Sequence, residues 1–306
     1  MIAGLKVNTL SVNAASDFEH KVILDVDMST DTDDLLAVRG CERLDNEGKE
    51  TLIGVCMSVS GGERALASLL TYDGFGDIPV GISSVYIPDE SPYWEYLESV
   101  STPSNTMADA VEVYRKLLSE SEERVSIITT GYLTNIQMLL ESEADEYSDL
   151  TGAELIKEKV RAIHITGGNL VDHTENNFMF NEEARIASDY VFANWPQEIP
   201  VVIYSQDLGG QMWVAEDLPE DDIVNKCLEL ADRNGSTAWD IFNVWAFSQM
   251  DYNALSDSYL TLAHCSIYID SDGKDIITDD ESAPWWRIKK LSPDNNYYKE
   301  QINSML

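Results

Sequence analysis

The chain has 306 residues, with 55 Asp and Glu against 20 Lys and Arg, for a formal charge of −35. That balance excludes nucleic acid and anionic membranes as partners, because both need concentrated Lys and Arg. No apolar stretch approaches the roughly 18 residues of a membrane span, and nothing resembling a linker or a repeat divides residues 1–306, so one domain is expected, with residues 1–20 as an irregular opening.

The opening Met1-Ile2-Ala3-Gly4 lacks the charged start of a secretion signal, and Val12-Asn13-Ala14 resembles a cleavage site only faintly. The expectation is a cytoplasmic protein, with a secreted or periplasmic protein from a truncated precursor as the alternative. Runs rich in Val and Ile predict strands at 21–26, 51–57, 78–82, 124–129, 160–166 and 200–204. Longer segments with helical spacing predict helices at 33–44, 63–72, 106–118, 134–140, 182–194, 221–232 and 239–250. Such alternation is the pattern of an α/β fold with an open, mostly parallel sheet flanked by helices. Further on, 260–269 runs into Asp270-Ser271-Asp272-Gly273-Lys274-Asp275, where Asp-Gly predicts a hairpin turn. That glycine is misplaced for a calcium loop, and Lys274 occupies a ligand position.

Between the first strand and the first helix lie Asp25, Asp27, Asp31, Asp33 and Asp34, five aspartates in ten residues. In so acidic a chain such a cluster can be a solvated face. Here, though, an apolar strand feeds straight into it, and strand ends opening into helices are where α/β proteins bind ligands. Carboxylates gathered there call for a cation, and an oxygen-only set suits calcium better than zinc.

The stretch Leu24-Asp25-Val26-Asp27-Met28-Ser29-Thr30-Asp31-Thr32-Asp33-Asp34-Leu35-Leu36-Ala37 resembles the N-terminal motif of the nucleoside hydrolase family. Its loop is two residues longer than the common form and carries Asp31 as an extra acid. The likeness recurs in order: Thr129-Thr130-Gly131-Tyr132-Leu133-Thr134-Asn135, then Gly167-Gly168-Asn169, then Glu175-Asn176-Asn177 with Asn176 in place of an aromatic, then Asn181-Glu182-Glu183-Ala184-Arg185, and Trp239-Asp240. A Gly-Asn pair expected after the second strand is replaced by Ser58-Val59-Ser60-Gly61-Gly62.

The resemblance implies a nucleoside hydrolase-like, Rossmann-like core and calcium-dependent hydrolysis of the N-glycosidic bond of ribonucleosides. In that reading Asp27, Asp34, the Thr130 carbonyl and Asp240 hold Ca2+, Asp27 is the base for the attacking water, and Asp31 competes with it. Asp33 holds the 2′ hydroxyl, while Asn169, Glu175 and Asn177 hold the 3′ and 5′ hydroxyls. Trp239, where many members carry a histidine, implies a purine preference through stacking on the leaving base, with Trp94 in a loop as the opposite wall. A homo-oligomer is compatible with the resemblance, since relatives form dimers or tetramers.

Two alternatives stay open: a calcium-dependent sugar or glycan binder that does not cleave, and a hydrolase of another ribosyl or pentosyl compound. Cys41, Cys56, Cys227 and Cys265 show no ligand spacing and read as reduced core thiols. His164 reads as a core histidine, and His173, between Asn169 and Glu175, as a second choice of acid.

Overall fold

Why the chain closes around a sheet is visible in its first strand. The run Lys21–Val26 sends Val22, Leu24 and Val26 into one apolar cluster and Ile23 into another, since successive side chains of a strand point to opposite faces. A strand buried on both faces needs helices on both, which is how the computed structural model is built; it describes residues 20–87, 90–251 and 257–306. The expectations for residues 1–19, including Val12-Asn13-Ala14, lie outside the described residues.

In chain order the elements are β1 (Lys21–Val26), α1 (Asp33–Asn46), β2 (Thr51–Met57), α2 (Glu63–Asp73), β3 (Val80–Ile82), α3 (Trp94–Val100), β4 (Met107–Asp109) and α4 (Ala110–Glu120). There follow β5 (Val125–Thr129), α5 (Thr134–Glu141), α6 (Gly152–Lys159), β6 (Val160–Thr166), α7 (Asn176–Met179), α8 (Glu182–Asn194), β7 (Val201–Tyr204) and β8 (Trp213–Val214). The last are α9 (Ile223–Leu230), β9 (Ser236–Thr237), α10 (Trp239–Asp251), β10 (Leu260–Ile269), β11 (Asp275–Asp279), β12 (Trp285–Lys290) and α11 (Asn295–Asn303). Among the described residues, ten strands form one sheet in the order β11-β10-β12-β7-β6-β5-β1-β2-β3-β4, and β8 pairs with β9. From β12 to β4 every pairing is parallel, while β10 runs antiparallel to both β12 and β11.

All six predicted strands are present, and the expected hairpin turn joins β10 to β11, with Gly273 N donating to Asp270 O at 3.0 Å. Several boundaries shift by one or two residues, and three departures have a local reason. The helix expected at 106–118 begins at Ala110, because Met107–Asp109 pairs with β3 and the Asp109 side chain caps α4 by accepting from Val111 N at 2.9 Å. The one expected at 221–232 is trimmed to Ile223–Leu230, with Asp222 capping it from outside. Trp94, expected in a loop, opens α3. All four cysteines are buried and unbonded to one another, and among the described residues no helix is long and apolar enough to cross a membrane.

Candidate functional site

At the carboxyl ends of β1, β5, β6 and β7 the connecting loops enclose a cavity of about 380 Å³, within the range of small-molecule sites. Its acidic floor comes from two helix starts. Asp33 and Asp34 form the first turn of α1, and Asp240 stands in the first turn of α10, so two sets of unpaired helix N–H groups favour negative charge at one place. The two helices pack together, and glycine permits the approach: a Cβ at Gly40 would lie 2.4 Å from Ile241 Cδ1. As a result, carboxylate oxygens of Asp33, Asp34 and Asp240, all buried, lie within 4.8 Å of one another.

Asp27 joins this floor from the end of β1, partly open to the cavity. Its backbone N–H donates to Asp34 Oδ1 at 3.3 Å, and Thr130 Oγ1 donates to the same oxygen at 3.0 Å, which fixes that carboxylate from two sides. The turn after β5 reaches this close only because residue 131 is glycine. A Cβ there would lie 2.7 Å from Asp27 N and 2.4 Å from Ser58 Oγ.

Crowding acids away from water favours their protonated forms. Burial, and then the charges of Asp34 and Asp33, hold Asp27 well above the ordinary carboxyl range. Asp33 and Asp240 are raised in the same way, each by burial first and by neighbouring acids second. Asp34 is pushed up to about 6, mainly by burial, against the opposing hydrogen bond from Thr130. Glu175, also buried, is pushed up to about 7. Behind the floor, Asp25 is fully buried, accepts from Tyr114 Oη at 2.9 Å and Asn135 Nδ2 at 3.0 Å, and is likewise raised to about 7, by burial. Among the described residues no Lys or Arg forms an ion pair with Asp27, Asp33, Asp34 or Asp240. Hard oxygen donors with no protein counter-charge suit a divalent cation of the calcium type, so the residues present fit the expected group.

Asp27, Asp33, Asp34, Thr130, Glu175, Asn177, Trp239 and Asp240 all line the cavity, although they come from chain positions as far apart as 27 and 240. The three acids gathered within 4.8 Å include Asp33 rather than Asp27, so the metal set read from the sequence and the one drawn by proximity share Asp34 and Asp240. Asn177 Nδ2 donates to the Thr130 carbonyl at 2.6 Å, using one of that oxygen's two lone pairs.

Two expected contacts are not brought to the lining. Asn169 donates through Nδ2 to Oε1 of Gln206, in the loop after β7, at 3.0 Å and accepts within its own loop from Val171 N at 2.9 Å. Trp94 donates to Met28 O at 3.0 Å and packs where a Cβ on Gly62 would otherwise stand, 2.6 Å from its ring. His164 is a core residue bonded to Tyr204 Oη at 2.9 Å, and His173 Nδ1 pairs with the Asp275 carbonyl at 3.0 Å. Asp31 lines the mouth of the cavity, paired with Arg233 at 2.6 Å.

Gln206, Tyr132 and Phe180 also line the cavity, and the sequence reading did not single them out. For Gln206 a signal existed, since it follows the predicted strand at 200–204 and the carboxyl-end rule covers it. Phe180 carried none, because its role depends on how α7 is turned. Trp239 Nε1 donates to Gln206 O at 3.1 Å, which fixes the indole at the cavity wall.

No protein-family profile matches the sequence, and no curated protein matches it either. Solved structures do match in fold. An inosine-uridine preferring nucleoside hydrolase from Bacillus anthracis superposes with a TM-score of 0.62 at 14% identity, over 94% of this chain and 100% of that one. A purine-preferring ribonucleoside hydrolase from Gardnerella vaginalis gives 0.65 at 16% identity, over 93% and 98%. The type III effector protein XopQ complexed with adenosine diphosphate ribose gives 0.66 at 12% identity, over 95% and 93%. The chain therefore has the nucleoside hydrolase fold, as its motifs imply.

Proposed function

We propose that the protein is a calcium-dependent N-ribosyl hydrolase that cleaves ribonucleosides, with a leaning to purines. One observation carries this reading: acids from two distant parts of the chain meet without a protein counter-charge on the floor of a cavity whose wall holds a fixed indole. A binding scaffold has no need of a partly exposed fourth acid beside a buried triad, whereas a hydrolase needs a base.

Asp34 and Asp240 are assigned to the cation, with the Thr130 carbonyl beside them and Asp33 facing either the cation or a sugar hydroxyl. Calcium bound there would supply the positive charge that returns these carboxyls to their ionised forms and would act as a Lewis acid toward water. Asp27, half-buried at the cavity beside the buried three, takes the proton of the attacking water. Glu175 and Asn177 orient the sugar through its hydroxyls, so the anomeric carbon faces the base. Trp239 offers a π-face to the leaving base as it gains positive character.

The test is release of hypoxanthine from inosine and of uracil from uridine, followed chromatographically with calcium and with a chelator. Calcium-dependent release, faster from inosine, is expected. Binding of inosine or ribose without base release would instead support a non-catalytic sugar binder, a reading favoured by the engagement of Asn177 Nδ2 with Thr130. No binding and no release would end both.

A further inference from the structure

We propose that Phe180, backed by Tyr132, is a ring-binding wall of the cavity. The inference rests on the ribosyl-hydrolase reading of this site and names a second aromatic contact within it. Of the large apolar side chains left exposed among the described residues, Phe180, at 46% exposure, is the one that lines the cavity. Leaving such a ring open to water is unfavourable unless something covers it in the working state.

Its placement is fixed, not incidental. The ring stacks on Tyr132 with centroids 5.4 Å apart and an interplanar angle of 26°. Tyr132 itself is buried, and its backbone N–H donates to Ser58 Oγ at 3.1 Å, which ties the pair to the end of β2. On the other side Phe180 N donates to Asn176 O at 2.8 Å, which sets Phe180 one helical turn beyond cavity-lining Asn176. The same short helix is capped by Glu175, whose carboxylate accepts from Phe178 N at 3.2 Å. One turn of chain thus carries a polar group for a sugar and a flat apolar face for a ring.

The chemistry of the lining agrees. Acids and amides occupy the floor, and the aromatic residues that line the cavity are Trp239, Phe180 and Tyr132. A ligand that satisfies both parts carries a polyol and a planar heterocycle. Offset stacking against Phe180 would extend the Tyr132–Phe180 stack by one ring, an arrangement aromatic groups favour.

Hypoxanthine alone, ribose alone and inosine turnover separate this from the parent reading. Binding of the first two is followed by saturation-transfer NMR in the calcium-loaded full chain. Phe180→Ala is expected to weaken hypoxanthine binding about tenfold, the order of one base–aromatic stack, while leaving ribose binding unchanged, and Phe180→Tyr is expected to restore it. Equal losses for ribose and hypoxanthine, no loss for hypoxanthine, or no hypoxanthine binding by the wild type would each overturn the ring wall. If the wild type binds hypoxanthine in a Phe180-dependent way yet releases no base from inosine, the wall stands and the hydrolase reading falls. If inosine is cleaved and Phe180→Ala changes neither binding nor turnover, the hydrolase reading stands and the wall falls.

Discussion

Removing calcium should make folding stability depend steeply on pH, and the size of the effect follows from one residue. Asp34 is carried from 3.8 to about 6, chiefly by burial. That difference of about two units corresponds to about 3 kcal/mol. Its sign is that of a carboxyl raised on folding: the stabilisation is fully present below 3.8 and is lost as the pH rises through about 6. Asp27, Asp33 and Asp240, also raised by burial and by neighbouring acids, add to that loss over the same range and beyond it. A bound divalent cation opposes the loss, because it favours the ionised forms. At about one hundred times its Kd it adds about 2.7 kcal/mol. For a chain of this size 1 kcal/mol moves Tm by about 2 °C, so from Asp34 alone the chelated protein should lose about 6 °C between pH 4 and pH 7 that the calcium-loaded protein keeps, and the other three acids make that a lower bound. Melting curves by circular dichroism, with calcium or chelator over that pH range, measure the difference. High monovalent salt in both arms screens the general repulsion of a chain carrying −35. The two arms should converge near pH 4, where the carboxyls are protonated. Parallel pH dependence with and without calcium would refute the assignment of these acids to a cation.

Asp27→Asn should lower turnover of inosine by about 10² to 10⁴-fold, the worth of a general base, with calcium still raising Tm. Trp239→Ala should reduce kcat/KM for inosine about tenfold and for uridine less. By contrast, Trp94→Phe should leave both substrates unaffected and cost about 1 kcal/mol of stability, the lost bond to Met28 O. Gly131→Ala should abolish turnover and weaken calcium binding seen by calorimetry, because the added carbon meets Asp27 N at 2.7 Å and the backbone must move. Arg115 is buried and makes five hydrogen bonds, two to Asp145 and one each to Ser142 Oγ, Ser148 O and Leu150 O. Arg115→Met should lower stability by about 2 kcal/mol, as the Ser148 and Leu150 carbonyls lose their donor, measured by urea unfolding, with kcat of the folded fraction unchanged.

Much of the fold was legible because two periodicities are strong in this chain. The strands at 21–26 and 51–57 have no competing pattern, and both are observed with those bounds. Helix boundaries were harder, since a capping aspartate such as Asp109 or Asp222 looks like one more acid in an acidic sequence. The antiparallel end of the sheet is legible only at its first hairpin, and the short α6 is marked in the sequence only by its Thr151–Glu154 capping box. In the site, the residues that come straight off a strand end or open a helix line the cavity. Asn169 and Trp94 are outside that lining, because spacing gives a residue's position along the chain while its neighbours decide which way the side chain turns. Gln206 and Trp94 show the point from both sides: one faces the cavity without a motif, the other carries an aromatic ring that covers Gly61 and Gly62.

The longer acidic loop is where sequence set Asp31 beside Asp27 as a competing base, and the connections of Asp31 bear on that. Arg233, 202 positions away, bonds to Asp31 Oδ1 at 2.6 Å, and the Asp31 side chain is 55% exposed. Tyr93 Oη donates to the Asp31 carbonyl at 2.8 Å, and Thr32 Oγ1 donates to Ser236 Oγ at 2.7 Å in a buried contact. The extra residues therefore join the start of α1 to the segment that leads into α10, which brings Asp33 and Asp34 into register with Asp240. An exposed ion pair contributes little and is screened by salt, so the buried Thr32–Ser236 bond holds this junction when salt weakens the pair. With its carboxylate turned to a guanidinium at the rim, Asp31 is engaged in joining the loop to the segment before α10, and on the proposed reading the proton of the attacking water is left to Asp27, half-buried beside the buried three.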